Sequence, residues 1–183
     1  MRKFILQLSL ILLFPYLIIF AVFCMYSGFL MATVFHNNAL ELLLFILIIY
    51  FFAFICTVLF VVTNLRKHKP AFEMTRISMI IKLIHIPAYI VIFLMGLLSL
   101  ATIFTMGFGL VFLILNCMTI FLTGLIGASG IAQGKREEKL SKKSAVIHGI
   151  LQFMFCVDVI SAVIIHRRIK LLQKDSNHSE QSG

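Results

Sequence analysis

The sequence predicts an all-α integral membrane protein, a helical bundle of about five transmembrane helices, and three observations lead there. Of 183 residues, 61% are hydrophobic and 13% charged, against about 45–50% and about 25% in soluble domains. The apolar residues fall in uncharged runs near the roughly 20 residues that an α-helix needs to cross a bilayer. The cations flank these runs instead of interrupting them. A soluble fold of this size has too little interior to hide so many apolar side chains, whereas lipid as solvent removes the difficulty.

The first run follows Arg2 and Lys3 and carries no charge as far as Phe35. It far exceeds the roughly 7–15 residues of a signal-peptide core and ends without an A-x-A site. It is read as a retained span over about 4–26, kinked at Pro15 and able to continue, tilted, to residue 35. His36-Asn37-Asn38 forms a polar turn before a second span over about 39–63. Asn64 to Pro70 is a basic loop, and residues 71–82 mix Glu73, Arg76 and Lys82 with apolar residues that suit the membrane interface. The third span covers about 83–103, with Pro87 near its start. A break at 105–109 is required, since one helix from 83 to 132 would be about twice the length of a crossing. The fourth span is about 110–132, followed by the charged loop 133–143 and a fifth apolar segment over about 144–165. Residues 1–170 thus form one membrane-embedded domain. Residues 171–183 read as a polar tail, disordered from about 175 on compositional grounds.

Charge sets the orientation. Lysines and arginines number two before the first span, five in 64–82, five in 133–143 and four after the fifth segment, with none in the remaining turns. An N-terminus inside a cell membrane, with five crossings, leaves 12 of these cations cytoplasmic and 4 outside, as the positive-inside rule requires. The tail is then on the unfavourable side. The fifth segment is therefore either a frustrated crossing or a re-entrant or interfacial helix that keeps the tail inside. The five-span count adopts the crossing.

Ionisable groups within a span cost about 2.5–3.5 kcal/mol on insertion scales and seek partners. Asp158 is the one acid deep in an apolar segment, and at 100° per residue it shares a face with His148 and Gln152. In an antiparallel hairpin of the fourth and fifth spans, residues whose numbers total 274–278 share a depth. Asn116 then faces Asp158, and Thr123 faces Gln152. An interhelical amide–carboxyl clasp worth about 1 kcal/mol follows, and such a clasp tolerates Asp158→Asn. Lys82 and His85 read as interface anchors, with Lys82 snorkelling to the headgroups. Gly124, Gly127, Gly130 and Gly134 recur at the spacing that lets helices approach closely.

The four cysteines form no CxxC pair and have no zinc-ligand spacing, so neither a metal nor any cofactor is expected. The formal net charge of +9 belongs to the flanks of hydrophobic spans, which points to a lipid bilayer with anionic headgroups as partner and away from nucleic acid. A membrane-protein partner or a second copy of the chain completes the expected partners. There is no HExxH, GxSxG or P-loop motif, and a single deep carboxyl does not make an aspartyl dyad. An enzyme is therefore not expected.

Ser141-Lys142-Lys143-Ser144-Ala145-Val146-Ile147-His148-Gly149-Ile150-Leu151-Gln152-Phe153, with Asp158-Val159-Ile160-Ser161-Ala162, resembles a family of small, uncharacterised bacterial multi-pass membrane proteins. The likeness runs from about Ile86 onward. It implies a bacterial membrane location and no activity. The functional expectation is a non-enzymatic accessory, assembly, stress or immunity protein. The alternative is a small transporter, or a membrane-embedded transporter subunit, using a polar site around Asp158 and Asn116.

Overall fold

Helix formation throughout follows from long runs of Leu, Ile, Phe and Ala with turn chemistry only between them. The computed structural model describes residues 2–101, 106–154 and 156–181. Among these there are seven helices and no strand: α1 (Arg2–Tyr26), α2 (Gly28–Phe35), α3 (Ala39–Arg66), α4 (Ala71–Ser99), α5 (Met106–Arg136), α6 (Lys142–Leu151) and α7 (Val157–Gln181). Four helices are long and apolar enough to cross a membrane: Gln7–Tyr26, Ala39–Arg66, Ala71–Ser99 and Gly109–Arg136.

The helix ends follow local chemistry. Ser27 caps α2 through Oγ, which accepts from the Leu30 N–H at 3.5 Å. His36 and Asn37 take left-handed backbone, φ 49° and 55°, so the chain turns at the predicted polar triplet. Asn38 Oδ1 then accepts from Leu40 N–H at 3.0 Å to start α3. Pro70 precedes α4, and the Ala71 N–H donates to the Glu137 carboxylate at 2.6 Å. That carboxylate, from the loop after α5, caps the positive end of the α4 dipole. Part of the break expected at 105–109, Thr105, and the end of the third span lie outside the described residues. α4 stops at Ser99 and α5 begins at Met106.

The five-span count requires correction at the fifth segment. Residues 144–165 are not one helix: the chain leaves α6 after Leu151, turns at 152–154, has Cys156 at φ 63°, and starts α7 at Val157. Ser144 Oγ accepts from Arg168 Nη1 at 3.3 Å, and His148 Nδ1 lies 2.9 Å from Ser161 Oγ. These two rungs make α6–α7 an antiparallel helical hairpin, so its two ends return to one level. α7 also continues to Gln181, through the stretch expected to be disordered. Residues such as Leu171, Leu172, Gln173 and Lys174 are good helix formers, and extending an existing helix costs far less than nucleating one.

The chain forms two compact units. One comprises Met1–Thr57 and His85–Thr119, the other Val58–Ile84 and Ile120–Gly183. In the first, Ala21, Cys24, Phe35 and Leu42 form a buried cluster flanked by Met25, Met31 and Phe45, and Phe35 meets Phe45 edge-on at 5.6 Å. In the second, Ala71, Ile131, Leu140, Ala145, Ile165 and Ile169 form the core, with Phe72 against it. The second unit holds the polar cluster described next.

Candidate functional site

The helix break exists beside a lysine. Gln152 caps the C-terminus of α6, and carbonyls at a helix end lack an intrahelical partner. Lys82 Nζ donates to the Gln152 carbonyl at 3.2 Å and to Asp158 Oδ2 at 3.0 Å. Asp158 lies in the first turn of α7, at the positive end of the helix dipole. Both side chains of the pair are sealed, Lys82 at 0% and Asp158 at 1% exposure. Backbone groups of the turn stay bonded as well. The N–H groups of Gln152, Phe153, Met154 and Asp158 donate to the carbonyls of His148, Ile150, Leu151 and Met154, as non-helical backbone within lipid would demand.

Around the ion pair, Gln152 Nε2 donates to Ser161 Oγ at 3.2 Å, and the same hydroxyl meets His148 Nδ1. Gln152 and Ser161 are each 1% exposed. Three buried oxygens, Asp158 Oδ1, Gln152 Oε1 and Ser78 Oγ, make no hydrogen bond. The cluster therefore ties α4 to both arms of the α6–α7 hairpin through one ammonium, one carboxylate and one carbonyl.

Two expectations about these residues change. Lys82 does not snorkel as an interface anchor, because its ammonium is consumed inside the unit. Asp158 takes that lysine as partner in place of the expected Asn116 clasp. The hairpin register does hold as far as Gln152, since a Cβ at Gly127 would stand 2.1 Å from Gln152 Oε1 and one at Gly124 would stand 3.0 Å from the Gln152 carbonyl oxygen. Beyond Gln152 the chain turns back, so Asp158 goes no deeper. Asn116 belongs to the first unit, buried with Oδ1 unbonded on an apolar groove of about 230 Å³. His85 is also in the first unit, 1% exposed and edge-on to Tyr89 at 6.0 Å.

The α5 glycines explain how so much polar chemistry fits. Gly124 and Gly127 face the α6–α7 turn, Gly130 faces Thr75 and Met74 of α4, and Gly134 faces Leu140 and Ile169. Each of the four would bring an added Cβ to 3.2 Å or less from a neighbour, so the stripe is the surface on which α4 and the hairpin seat.

Sequence reasoning missed Lys82 as the partner, along with Ser161 and Ser78. A usable signal was present. Asp158 was the lone deep acid and Lys82 a cation flanked by apolar residues on both sides, and unlike charges in a low-dielectric interior pair off. Near the end of the hairpin, His166 packs at 5.1 Å on Phe72 with Nδ1 3.4 Å from Thr75 Oγ1. Burial, then the cations of Lys170 and Arg76, hold its imidazole below the ordinary range. No group of three His, Cys, Asp or Glu among the described residues could hold a metal ion.

Fold and site together define an all-helical protein with four helices of membrane-spanning length and a polar cluster at the turn of a broken fifth segment. The chain belongs to DUF6652, a family of unknown function whose model matches residues 2–171. Neither a curated protein nor a solved structure matches it.

Proposed function

We propose that this is a multi-pass protein of a bacterial cell membrane with a non-enzymatic accessory or assembly role, crossing the bilayer four times and adding a re-entrant α6–α7 hairpin. The bacterial location rests on the resemblance of residues 141–162 noted above. The topology rests on charge together with the hairpin. With both hairpin ends on one side, the 15 lysines and arginines of the 16 other than buried Lys82 flank the cytoplasmic ends of the spans, and none lies outside. The frustration of a five-span arrangement disappears. α3, with only 17% of its span buried, offers the broadest apolar face to lipid or to a partner helix.

The observation that carries the accessory reading is the sealed Lys82–Asp158 pair. Its groups are used up in holding helices together, which is the work of a clasp. The transporter reading draws on the three unbonded oxygens beside an ammonium, a set of groups that a moving proton or cation could use. The two readings separate on one variant. Replacing a buried ion pair by apolar residues of similar volume is often neutral or stabilising, so Lys82→Met/Asp158→Leu should reverse whatever growth phenotype a deletion strain shows. An inserted, abundant double variant that fails to complement would refute the clasp and make ion coupling the leading reading.

A further inference from the structure

The two arms of the α6–α7 hairpin share a pattern on their outer surfaces. On α6, exposed Lys142 and Lys143 lead within one and two turns to Val146, Ile147 and Ile150, which are 55%, 47% and 62% exposed. On α7 the order is reversed. Exposed Ile160 and Ile164 lead to exposed Arg167 and Arg168. The bond from Arg168 Nη1 to Ser144 Oγ brings the two cationic ends to one level, so both apolar stripes run away from it in the same direction. Among the described residues, none of these four cations forms an ion pair, while Glu41, Glu73, Asp158 and Glu137 pair with His36, Lys69, Lys82 and Lys139.

Four cations at one level above two parallel apolar stripes match the two ends of a phospholipid, an anionic head over acyl chains. We propose that the outer face of the α6–α7 hairpin binds an anionic phospholipid, with the phosphate held by Lys142, Lys143, Arg167 and Arg168 and the chains lying along Val146, Ile147, Ile150, Ile160 and Ile164. This rests on the membrane reading above and deepens it. The His148 imidazole and the Gln152 amide meet Ser161 of the opposite arm, so these polar groups are engaged within the hairpin. A re-entrant hairpin has no second set of flanking cations on the far side, and a bound headgroup supplies the anchor that fixes its depth. Free inorganic phosphate shares the head chemistry but gains nothing from the stripes.

The experiment is native mass spectrometry of the full chain in mild detergent, with phosphatidylglycerol or phosphatidylcholine added at equal concentration. Wild type is expected to retain phosphatidylglycerol about tenfold more than phosphatidylcholine, on the scale of a few surface cations. Lys142→Gln/Lys143→Gln and Arg167→Gln/Arg168→Gln should each abolish that preference. Lys135→Gln/Arg136→Gln, with equal charge loss in the preceding loop, should keep it. Equal retention of the two lipids by wild type would overturn the proposal without recourse to any variant. So would loss in the Lys135/Arg136 control, or displacement of phosphatidylglycerol by millimolar inorganic phosphate. An α7 that ended outside the cell would place Lys142 and Lys143 opposite Arg167 and Arg168 across the bilayer and reject both readings, whereas equal lipid retention by a protein whose α7 ends in the cytoplasm would reject the lipid site alone, so the two failures are distinguishable.

Discussion

Asp158→Asn is expected to destabilise the protein by about 3–5 kcal/mol, the usual cost of removing one partner from a buried ion pair. The substitution keeps the size of the side chain but leaves the Lys82 ammonium, fully buried, with a neutral amide and the Gln152 carbonyl as its only ligands. The bare sequence implied the opposite, because an amide clasp tolerates Asn at this position. Lys82→Met should be as damaging, since it strands the carboxylate and frees the Gln152 carbonyl at the same time. The double variant Lys82→Met/Asp158→Leu should recover most of the loss, because no unpaired charge is then left. Thermal unfolding in detergent of the two singles and the double forms a mutant cycle, and the coupling should be large and favourable. Additive losses would show that the pair does not hold the hairpin.

The second large effect is expected at Gly127. A Cβ there would stand 2.1 Å from Gln152 Oε1, 2.7 Å from Gln152 Cδ and 3.1 Å from Ser78 Oγ. Gln152 has little freedom to yield, since its amide is bonded to Ser161 and its carbonyl to Lys82. Gly127→Val should therefore cost about 1–3 kcal/mol through overpacking and should loosen the ion pair with it. Gly149→Ala is the matched control. A Cβ at that position meets nothing within 4 Å, so the change should be neutral or stabilise α6 by about 0.5–1 kcal/mol through helix propensity. Comparable melting of the two variants would remove the α5 glycine stripe from the account.

Much of this architecture was legible in the sequence, and the exceptions have physical causes. Uncharged runs of bilayer length gave the four long helices, and His36-Asn37-Asn38 gave the turn before α3, because left-handed backbone favours Asn and its neighbours. The glycine spacing on α5 located the close-packed surface, and the hairpin register placed Gln152 beside it. The break at 152–156 was hidden because neither proline nor glycine stands there. What favours it is tertiary: a lysine 70 residues earlier accepts the role of capping the freed carbonyl. Once the break was missed, Asp158 was carried too deep and matched to Asn116. Lys82 was assigned to the headgroups because a lysine near a helix start usually snorkels, and that rule outweighed the pairing expected of a buried acid and an interior cation.

The hairpin is the claim on which the topology, the clasp and the lipid face all depend, and the side of the membrane on which α7 ends tests it most directly. In a chain whose four cysteines are replaced by serine or alanine, single cysteines are placed at Asn37, Ser141 and Ser176 and treated with a membrane-impermeant maleimide in intact cells. The account predicts labelling at Asn37 and protection at both Ser141 and Ser176, with all three reacting once the membrane is opened. Labelling at Ser176 in intact cells, with Ser141 still protected, would show that the fifth segment crosses the bilayer and would contradict the re-entrant hairpin.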